Sequence, residues 1–282
     1  MKKILIPTDF TSNATNAMDF AFEIAKENNA KLYLLHVVEY PAGATVDPIG
    51  VSIVQSADID LVEELTKSAR KKLNIVKDNY QNAGVAVDIS VDLGNPYLSI
   101  IEKVKDEEID MIIMGTNGAS GFKEFIVGSN AERVVRYADC PVMTIKEPIN
   151  IQDVKNIVFA SDFNHFSDEL VMHLKKLQKT FDAQLHFVRV NTPNNFEKDR
   201  VSKKLIERTL QQHDFTNYTS TIYNDVYEEE GLIHFAQDIE ADMIAMATHG
   251  RTGISHLISG SIAEDVVNHA KRPVWTFHLS KQ

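Results

Sequence analysis

The stretch GTNGASGFKEFIVGSNAERVV, residues 115–135, places four glycines and two serines ahead of a helix-like segment, and it recurs as ATHGRTGISHLISGSIAEDVV, residues 247–267. The opening segment KILIPTDF, residues 3–10, recurs as NIVFASDF, residues 156–163. The chain therefore contains two copies of one sequence repeat, and the first copy has an extra segment. Copies this long exceed solenoid repeats, so each is predicted to be a domain with its own core.

The predicted domains are residues 1–147 and 154–282 of the 282-residue chain. Each copy alternates short apolar runs with segments of helical periodicity. In the first copy the predicted strands are residues 4–6, 32–38, 85–91, 110–114 and 142–145. Helices are predicted from Ser12 and over residues 61–79, 97–105 and 130–137. This alternation predicts an α/β fold of two tandem, doubly wound, Rossmann-like domains, each with a five-stranded parallel sheet.

Two local features refine this prediction. Ser12 and Ser167 are placed to cap the first helix of each copy, because a serine hydroxyl accepts a free N–H group of the first turn. Much of the extra length in the first copy falls at residues 40–56, where two prolines and two glycines predict a loop. Such a loop beside a site is either a lid or a surface insertion.

Composition excludes several classes of function. The formal net charge of -11 comes without a basic block, which argues against a nucleic-acid partner. No apolar run approaches the roughly 20 residues of a membrane span. A single cysteine, Cys140, excludes an internal disulfide, and a buried apolar role suits it best. These features lead us to expect a cytoplasmic protein without a membrane partner.

In an open parallel sheet, ligands bind outside the carboxyl ends of the strands. Asp9, Val37 and Gly115 each stand at or just past such an end, so we expect them at one crevice. Glycines that let backbone N–H groups approach closely, followed by a helix N-terminus, favour a phosphate group. Ser129 would add its hydroxyl or cap the helix. An ordinary structural turn would show the same pattern, which is neither a P-loop nor a dinucleotide fingerprint.

The chain resembles the universal stress protein family over essentially its whole length. The family signature, Gly-x-x-Gly, nine residues, then Gly-Ser or Gly-Thr, is matched by Gly115, Gly118, Gly128 and Ser129. The segments ILIPTDF, LHV, GNP and CPV of the first copy resemble the family too. The resemblance implies adenine-nucleotide-binding α/β domains with strand order 3-2-1-4-5, often paired through their fifth strands.

The resemblance also implies roles for single residues. Asp9 would face the ribose or a phosphate-bound Mg²⁺, Val37 the adenine and Met114 the nucleoside, although a helix cap and two core positions remain alternatives. The residues implied for the phosphate end of ATP, ADP or AMP are Gly115, Asn117, Gly118, Gly128 and Ser129. The second copy retains Asp162, Val190, Gly250, Gly260 and Ser261.

The second copy departs from the signature at Ala247, which replaces Gly115. If that position needs a positive φ, alanine costs about 1 kcal/mol there, which makes the first copy the better predicted site. Arg251 of the second copy either pairs with a phosphate or is simply solvated.

Three functions are compatible with the sequence. The first is a stress-response regulatory protein in which the bound nucleotide controls contacts with an unknown protein partner. The second is an interaction scaffold with vestigial pockets, and the third is a slow ATPase. No catalytic residue is assigned, because only Asp9 and Lys123 stand near the turn. Strands 142–145 and 274–277 can pair within the chain as a pseudo-dimer, and a homodimer of chains is also open.

Overall fold

A computed structural model describes residues 1–39, 45–46, 52–53, 56–116, 128–164, 166–249 and 260–279 of the chain. The strands within these ranges are β1 Lys3–Pro7, β2 Lys31–Val38, β3 Thr45–Val46, β4 Ser52–Ile53, β5 Val87–Leu93, β6 Met111–Gly115, β7 Val142–Ile145, β8 Asn156–Ala160, β9 Gln184–Asn191, β10 Tyr218–Asn224, β11 Met243–His249 and β12 Val274–Leu279. The helices are α1 Ser12–Asn28, α2 Ser56–Asn82, α3 Pro96–Asp106, α4 Ser129–Tyr137, α5 Asp168–Phe181, α6 Asp199–Gln212, α7 Glu228–Asp238 and α8 Gly260–His269. A short 3-10 helix, Ile151–Asp153, lies between the two halves.

One sheet of ten strands runs through the whole molecule in the order β10-β9-β8-β11-β12-β7-β6-β1-β2-β5. Each half contributes five parallel strands, and counting the five from the start of their own half gives the order 3-2-1-4-5 twice. The predicted fold class is therefore confirmed. The strands within each half are parallel because a helix connects successive strands, and two parallel strands can be joined only by such a crossover connection.

The extra segment of the first copy differs from its prediction. Residues 40–56 are predicted as a loop, but β3 and β4 form a short antiparallel pair within them and α2 begins at Ser56. Threonine, valine and isoleucine in the two short strands favour this pairing. The choice between lid and insertion depends on residues of this segment that lie outside the described ranges.

The starts of α1 and α5 show how the sequence sets the helix boundaries. Thr11, not Ser12, caps α1, because its hydroxyl accepts the N–H of Ala14 at 3.3 Å and Ser12 is already helical. The predicted cap of α5 is correct, since the Ser167 hydroxyl accepts the N–H of Leu170 at 3.2 Å. Both caps fix the residue at which the helix begins after the preceding strand.

Two apolar layers cover the sheet, one on each face. Side chains of α1, α2, α5 and α6 pack on one face around buried Phe20, Leu73 and Phe187. Side chains of α3, α4, α7 and α8 pack on the other around Ile100 and Val134. Strands covered on both faces read as continuous apolar runs, as residues 4–6 and 111–114 do.

The two halves meet at their fifth strands. β7 and β12 pair antiparallel, with Met143 opposite its own repeat equivalent Trp275. The Thr144 hydroxyl donates to the carbonyl oxygen of Val274, and the equivalent Thr276 hydroxyl donates to that of Val142, both at 3.3 Å. The pairing expected from the sequence is present, and it places a pseudo-twofold axis between the halves while it covers two sheet edges.

Charged side chains add contacts across this junction. Arg136 of α4 pairs with Glu264 of α8 at 2.9 Å, and both side chains are largely buried. Lys176 of α5 reaches Asp110 at 3.2 Å. Lys146 donates from Nζ to the carbonyl oxygen of Asn268 at 2.6 Å. Burial lowers the pKa of Lys146 to about 8, since the nearby Glu147 offsets only part of the desolvation.

Lys146 makes the stability of the chain depend on pH. Its pKa is near 10.5 when unfolded and about 8 when folded, so between these values the unfolded chain binds more protons. We therefore expect the free energy of unfolding to rise from pH 8 to pH 10.5 through this group. Lys146→Met should lose that rise. Urea unfolding of both chains at half-unit pH steps measures the difference, and parallel pH profiles would contradict it.

Candidate functional site

A cavity of about 420 Å³ opens at the carboxyl ends of β1, β2 and β6 and at the N-termini of α3 and α4. This first cavity brings together six of the predicted site residues: Asp9, Val37, Met114, Gly115, Gly128 and Ser129. Asn117 and Gly118 lie outside the described residues. The predicted crevice therefore exists, and it is a product of strand order, because β1 and β6 are neighbours in space but distant in sequence.

Asp9 is held by a tight turn at the end of β1. Its Oδ1 accepts the N–H of Thr11 at 3.0 Å and the hydroxyl of Thr11 at 2.6 Å. Phe10 between them has φ 64°, a left-handed conformation that is rare for a bulky residue. The equivalent Phe163 also has φ 64°. The alternative in which Asp9 caps the helix is wrong, because Thr11 is the N-cap residue and Asp9 only holds the Thr11 hydroxyl. Asp9 also lines the cavity.

Glycine is required at position 115 because the backbone of α1 approaches it closely. A Cβ at this position would lie 2.8 Å from the carbonyl carbon of Asn13 and 2.9 Å from the nitrogen of Ala14. Its φ is not positive, so a left-handed backbone is not the reason for the glycine. In the second copy α5 begins at Asp168, three positions later in the alignment than α1. Ala247 is accommodated there with its side chain buried.

The first turn of α4 faces the first cavity. Ser129, Asn130 and Ala131 all line it, and the N–H groups of a first turn have no partner within their helix. The N-cap residue Gly128 has no side chain to accept them, whereas Thr11 and Asn95 cap α1 and α3. Gly128 itself donates its N–H to the carbonyl oxygen of Thr116 at 2.7 Å. Backbone donors and the positive end of the helix dipole thus converge on one point of the cavity wall.

Sequence reasoning missed several lining residues, of which Arg133 matters most. It is exposed, lies one turn after Ser129 on α4 and gives this wall of the cavity a cation. The four-residue spacing from Ser129 could have identified it. Asp9 and Glu39 supply negative charge on the opposite side. Thr116, Asn95 and Pro96 are further lining residues that the signature alone does not single out.

A second cavity, of about 320 Å³, occupies the corresponding place in the second half. The predicted residues Asp162 and Val190 line it. Gly260 opens α8, and the described lining continues at Ile262, just past Ser261. Gly250, like Arg251, lies outside the described residues. The repeat therefore places a comparable cavity in each copy.

The described walls of the second cavity carry a different set of charges. Asp162, Glu197 and Glu228 are acidic, and Arg189 donates to the carbonyl oxygen of Asp162 at 2.6 Å. The Asp162 carboxylate accepts the backbone N–H and the side-chain amide of Asn164. These described walls thus carry three carboxylates and one guanidinium, whereas those of the first cavity carry two carboxylates and one guanidinium.

The segment that follows β9 forms part of the wall of the second cavity. The Asn195 carboxamide accepts the N–H and hydroxyl of Thr192 at 2.8 and 2.9 Å and donates to Glu228. Phe196, 70% exposed, adds an aromatic ring to the wall. The second cavity is therefore shaped by residues that have no counterpart in the signature.

The described residues form neither a cluster of metal ligands nor a membrane-spanning helix, as judged from their side chains and helices. In the part of the chain that the structure describes, no three His, Cys, Asp or Glu side chains group closely enough to hold a metal ion. No helix within the same ranges is long and apolar enough to cross a membrane.

Comparison with known proteins agrees with the repeat. The model of the universal stress protein family matches residues 1–146 and again residues 153–278. A universal stress protein of Synechocystis is 26% identical over 294 residues, which cover 98% of this chain and all of the relative. One from Methanocaldococcus jannaschii is 35% identical over 148 residues, covering 52% of this chain and 83% of the relative. A crystal structure of a universal stress protein from Archaeoglobus fulgidus superposes with a TM-score of 0.75 at 22% identity, covers 98% of both chains and shares the fold.

Proposed function

The chain belongs to the universal stress protein family, and from this premise we propose that it is a stress-response regulatory protein that binds ATP, ADP or AMP in its first cavity. The nucleotide state would control the surface that a protein partner contacts. The single observation that carries the proposal is the first turn of α4, whose backbone N–H groups face a cavity of nucleotide size without a side-chain cap from Gly128.

Different residues of the first cavity would contact the phosphates, the ribose and the nucleoside. Ser129, Asn130 and Arg133 would hold the phosphates, and Asp9 the ribose or a Mg²⁺ on the phosphates. Val37 and Met114 would contact the nucleoside. Asn117, Gly118 and the remainder of the glycine turn keep the phosphate roles that the family signature implies. The nucleotide would supply the phosphates, ribose and base, and the chain would supply backbone donors, a carboxylate and apolar walls.

We assign the nucleotide to the first half, residues 1–147, and regard residues 154–282 as the half with the weaker site. Each cavity has one arginine on its described walls, but the second has three acidic side chains and the first has two, and this extra negative charge supports the ranking because it would repel phosphates. Asp162, Val190, Gly250, Gly260 and Ser261 would then form a site that has drifted from nucleotide binding. The scaffold function is the alternative that this second half favours.

Slow ATP hydrolysis remains compatible with binding, but no residue of the first cavity is proposed as a general base. Asp9 already accepts two hydrogen bonds from Thr11. We further propose that the protein acts in the cytoplasm. The pseudo-dimer formed by β7 and β12 is the unit that we propose binds a protein partner.

Calorimetric titration of nucleotide-stripped protein with Mg-ATP tests the proposal. We expect one equivalent to bind, and Arg133→Gln to weaken ATP about fivefold while leaving adenosine unchanged, because an exposed ion pair contributes modestly. Glu228→Gln in the second cavity is the matched control and should leave ATP affinity unchanged. Absence of heat, together with absence of nucleotide released by denaturing the purified protein, would leave the scaffold function.

A further inference from the structure

The edge of the sheet in the second half is strand β10, which pairs with β9 over its whole length. The carbonyl oxygen of Asn217 accepts the N–H of Leu185, and the N–H of Asp225 donates to the carbonyl oxygen of Asn191. Because backbone groups along a strand face its two neighbours alternately, the odd-numbered residues of β10 face β9. Four residues therefore have backbone N–H and C=O groups that point outward from the sheet, namely Tyr218, Ser220, Ile222 and Asn224.

The sequence of β10, YTSTIYN, contains no charged residue, no proline and no glycine. Its β-branched and aromatic residues favour a strand. Sheets usually protect an exposed edge with charged side chains, with proline or with a covering segment, because a row of unpaired backbone groups can pair with another strand. Within the described ranges no strand lies on the outer side of β10. This edge therefore lacks protection by charge, by proline and by a further described strand.

A second, antiparallel copy of β10 fits this edge about a twofold axis through Thr221. Ser220 of one chain then lies opposite Ile222 of the other, and Tyr218 lies opposite Asn224 in the same way. All four residues have outward backbone groups, so each opposite pair can exchange two hydrogen bonds. Thr221 lies opposite its own copy, at the kind of position where the side chains of two antiparallel strands come closest, and threonine pairs are favourable there.

The other edge of the sheet, β5, supplies an internal comparison. Ser90 of β5 is the repeat equivalent of Thr221, because each pairs with the fifth residue of the neighbouring strand. A twofold axis through Ser90 would place Asp88 opposite Asp92 of the second copy, and Asp92 opposite Asp88. Like charges directly opposite each other destabilise a sheet. Self-pairing at β5 is therefore disfavoured by its sequence.

We propose that β10 is a dimerisation edge, at which two copies of the chain pair antiparallel about Thr221 into one continuous sheet. Where β5 has Asp88 and Asp92, β10 has the uncharged Thr219 and Tyr223, so no like charges face each other. The chain already uses antiparallel edge pairing where β7 meets β12. This inference goes beyond the proposed function and does not depend on nucleotide binding.

Thr221→Lys tests the inference, because two lysines would face each other across the axis. The backbone N–H of residue 221 faces β9 and is retained, so the fold should be kept. In sedimentation equilibrium over a range of concentrations, we expect the unaltered chain to dimerise and Thr221→Lys to dimerise at least about tenfold more weakly, since like charges oppose association. Ser90→Lys, at the equivalent position of β5, is the matched control and should dimerise as the unaltered chain does.

Two further variants locate the contact. Ser220→Pro removes an outward N–H and no hydrogen bond to β9, and proline is tolerated on edge strands, so this variant should also lose the dimer. Thr221→Cys should give a disulfide-linked dimer with oxidised glutathione, because the Cα atoms of such opposed residues lie within disulfide range. Ser90→Cys should not give one. Cys140 is buried and should add no background.

A chain that stays monomeric at the highest soluble concentration would overturn the inference. A dimer that survives both Thr221→Lys and Ser220→Pro would overturn it as well, and loss of the dimer in Ser90→Lys alone would assign the contact to β5 instead. Circular dichroism of each variant distinguishes a lost dimer from a lost fold.

Discussion

Gly115→Ala should destabilise the protein by about 1–3 kcal/mol, the usual cost of forcing an extra carbon into a packed region. The new Cβ would lie 2.8 to 2.9 Å from backbone atoms of Asn13 and Ala14, which cannot rotate away as a side chain could. The first turn of α1 would have to move outward. That turn adjoins Asp9, so the shift should also weaken nucleotide binding. Urea unfolding gives the stability and calorimetry gives the affinity.

Ala247→Gly is the matched control in the second copy. It removes a buried methyl and adds backbone freedom, so it should cost about 1 kcal/mol and leave nucleotide affinity unchanged. If Gly115→Ala proved as stable as the unaltered chain with unchanged affinity, the close contact between β6 and α1 would not be the reason for this glycine.

Ser129→Pro should weaken Mg-ATP binding by about 10- to 100-fold, the range for losing hydrogen bonds to a charged group. Proline is well tolerated at the first position of a helix, because that N–H has no helical partner. Gly128 has φ -62° and ψ 144°, the conformation that a residue before proline prefers. The substitution therefore removes one donor and one hydroxyl while α4 keeps its start.

Ser129→Ala separates the two losses in that experiment, since it removes the hydroxyl and keeps the N–H. We expect it to weaken binding only severalfold, with circular dichroism of both variants matching the unaltered chain. Equal affinity of Ser129→Pro and the unaltered chain would show that the first turn of α4 does not hold the phosphates.

The fold was predictable because its signals are local and repeated. Continuous apolar runs between helical segments, found twice, indicated two parallel sheets, and the pairing of β7 with β12 followed from their equivalent places in the repeat. The first residue of a helix was harder to predict than the presence of the helix. Thr11 and Ser12 are both good caps, and the choice between them depends on Asp9, whose carboxylate holds the hydroxyl of Thr11 at 2.6 Å.

The site was predictable where residues stand at strand ends and not where tertiary packing decides. Asp9 and Gly115 could be placed from the strand order, but the reason for Gly115 is the approach of α1, which has no trace in the local sequence.

A crystal structure after soaking with Mg-ATP tests the location of the nucleotide most directly. Phosphate density should lie against the N–H groups of Ser129, Asn130 and Ala131, with the nucleoside between Val37 and Met114, and the second cavity should stay free of nucleotide. Density in the second cavity alone, or none in the first at a saturating concentration, would contradict the assignment of nucleotide binding to the first half of the chain.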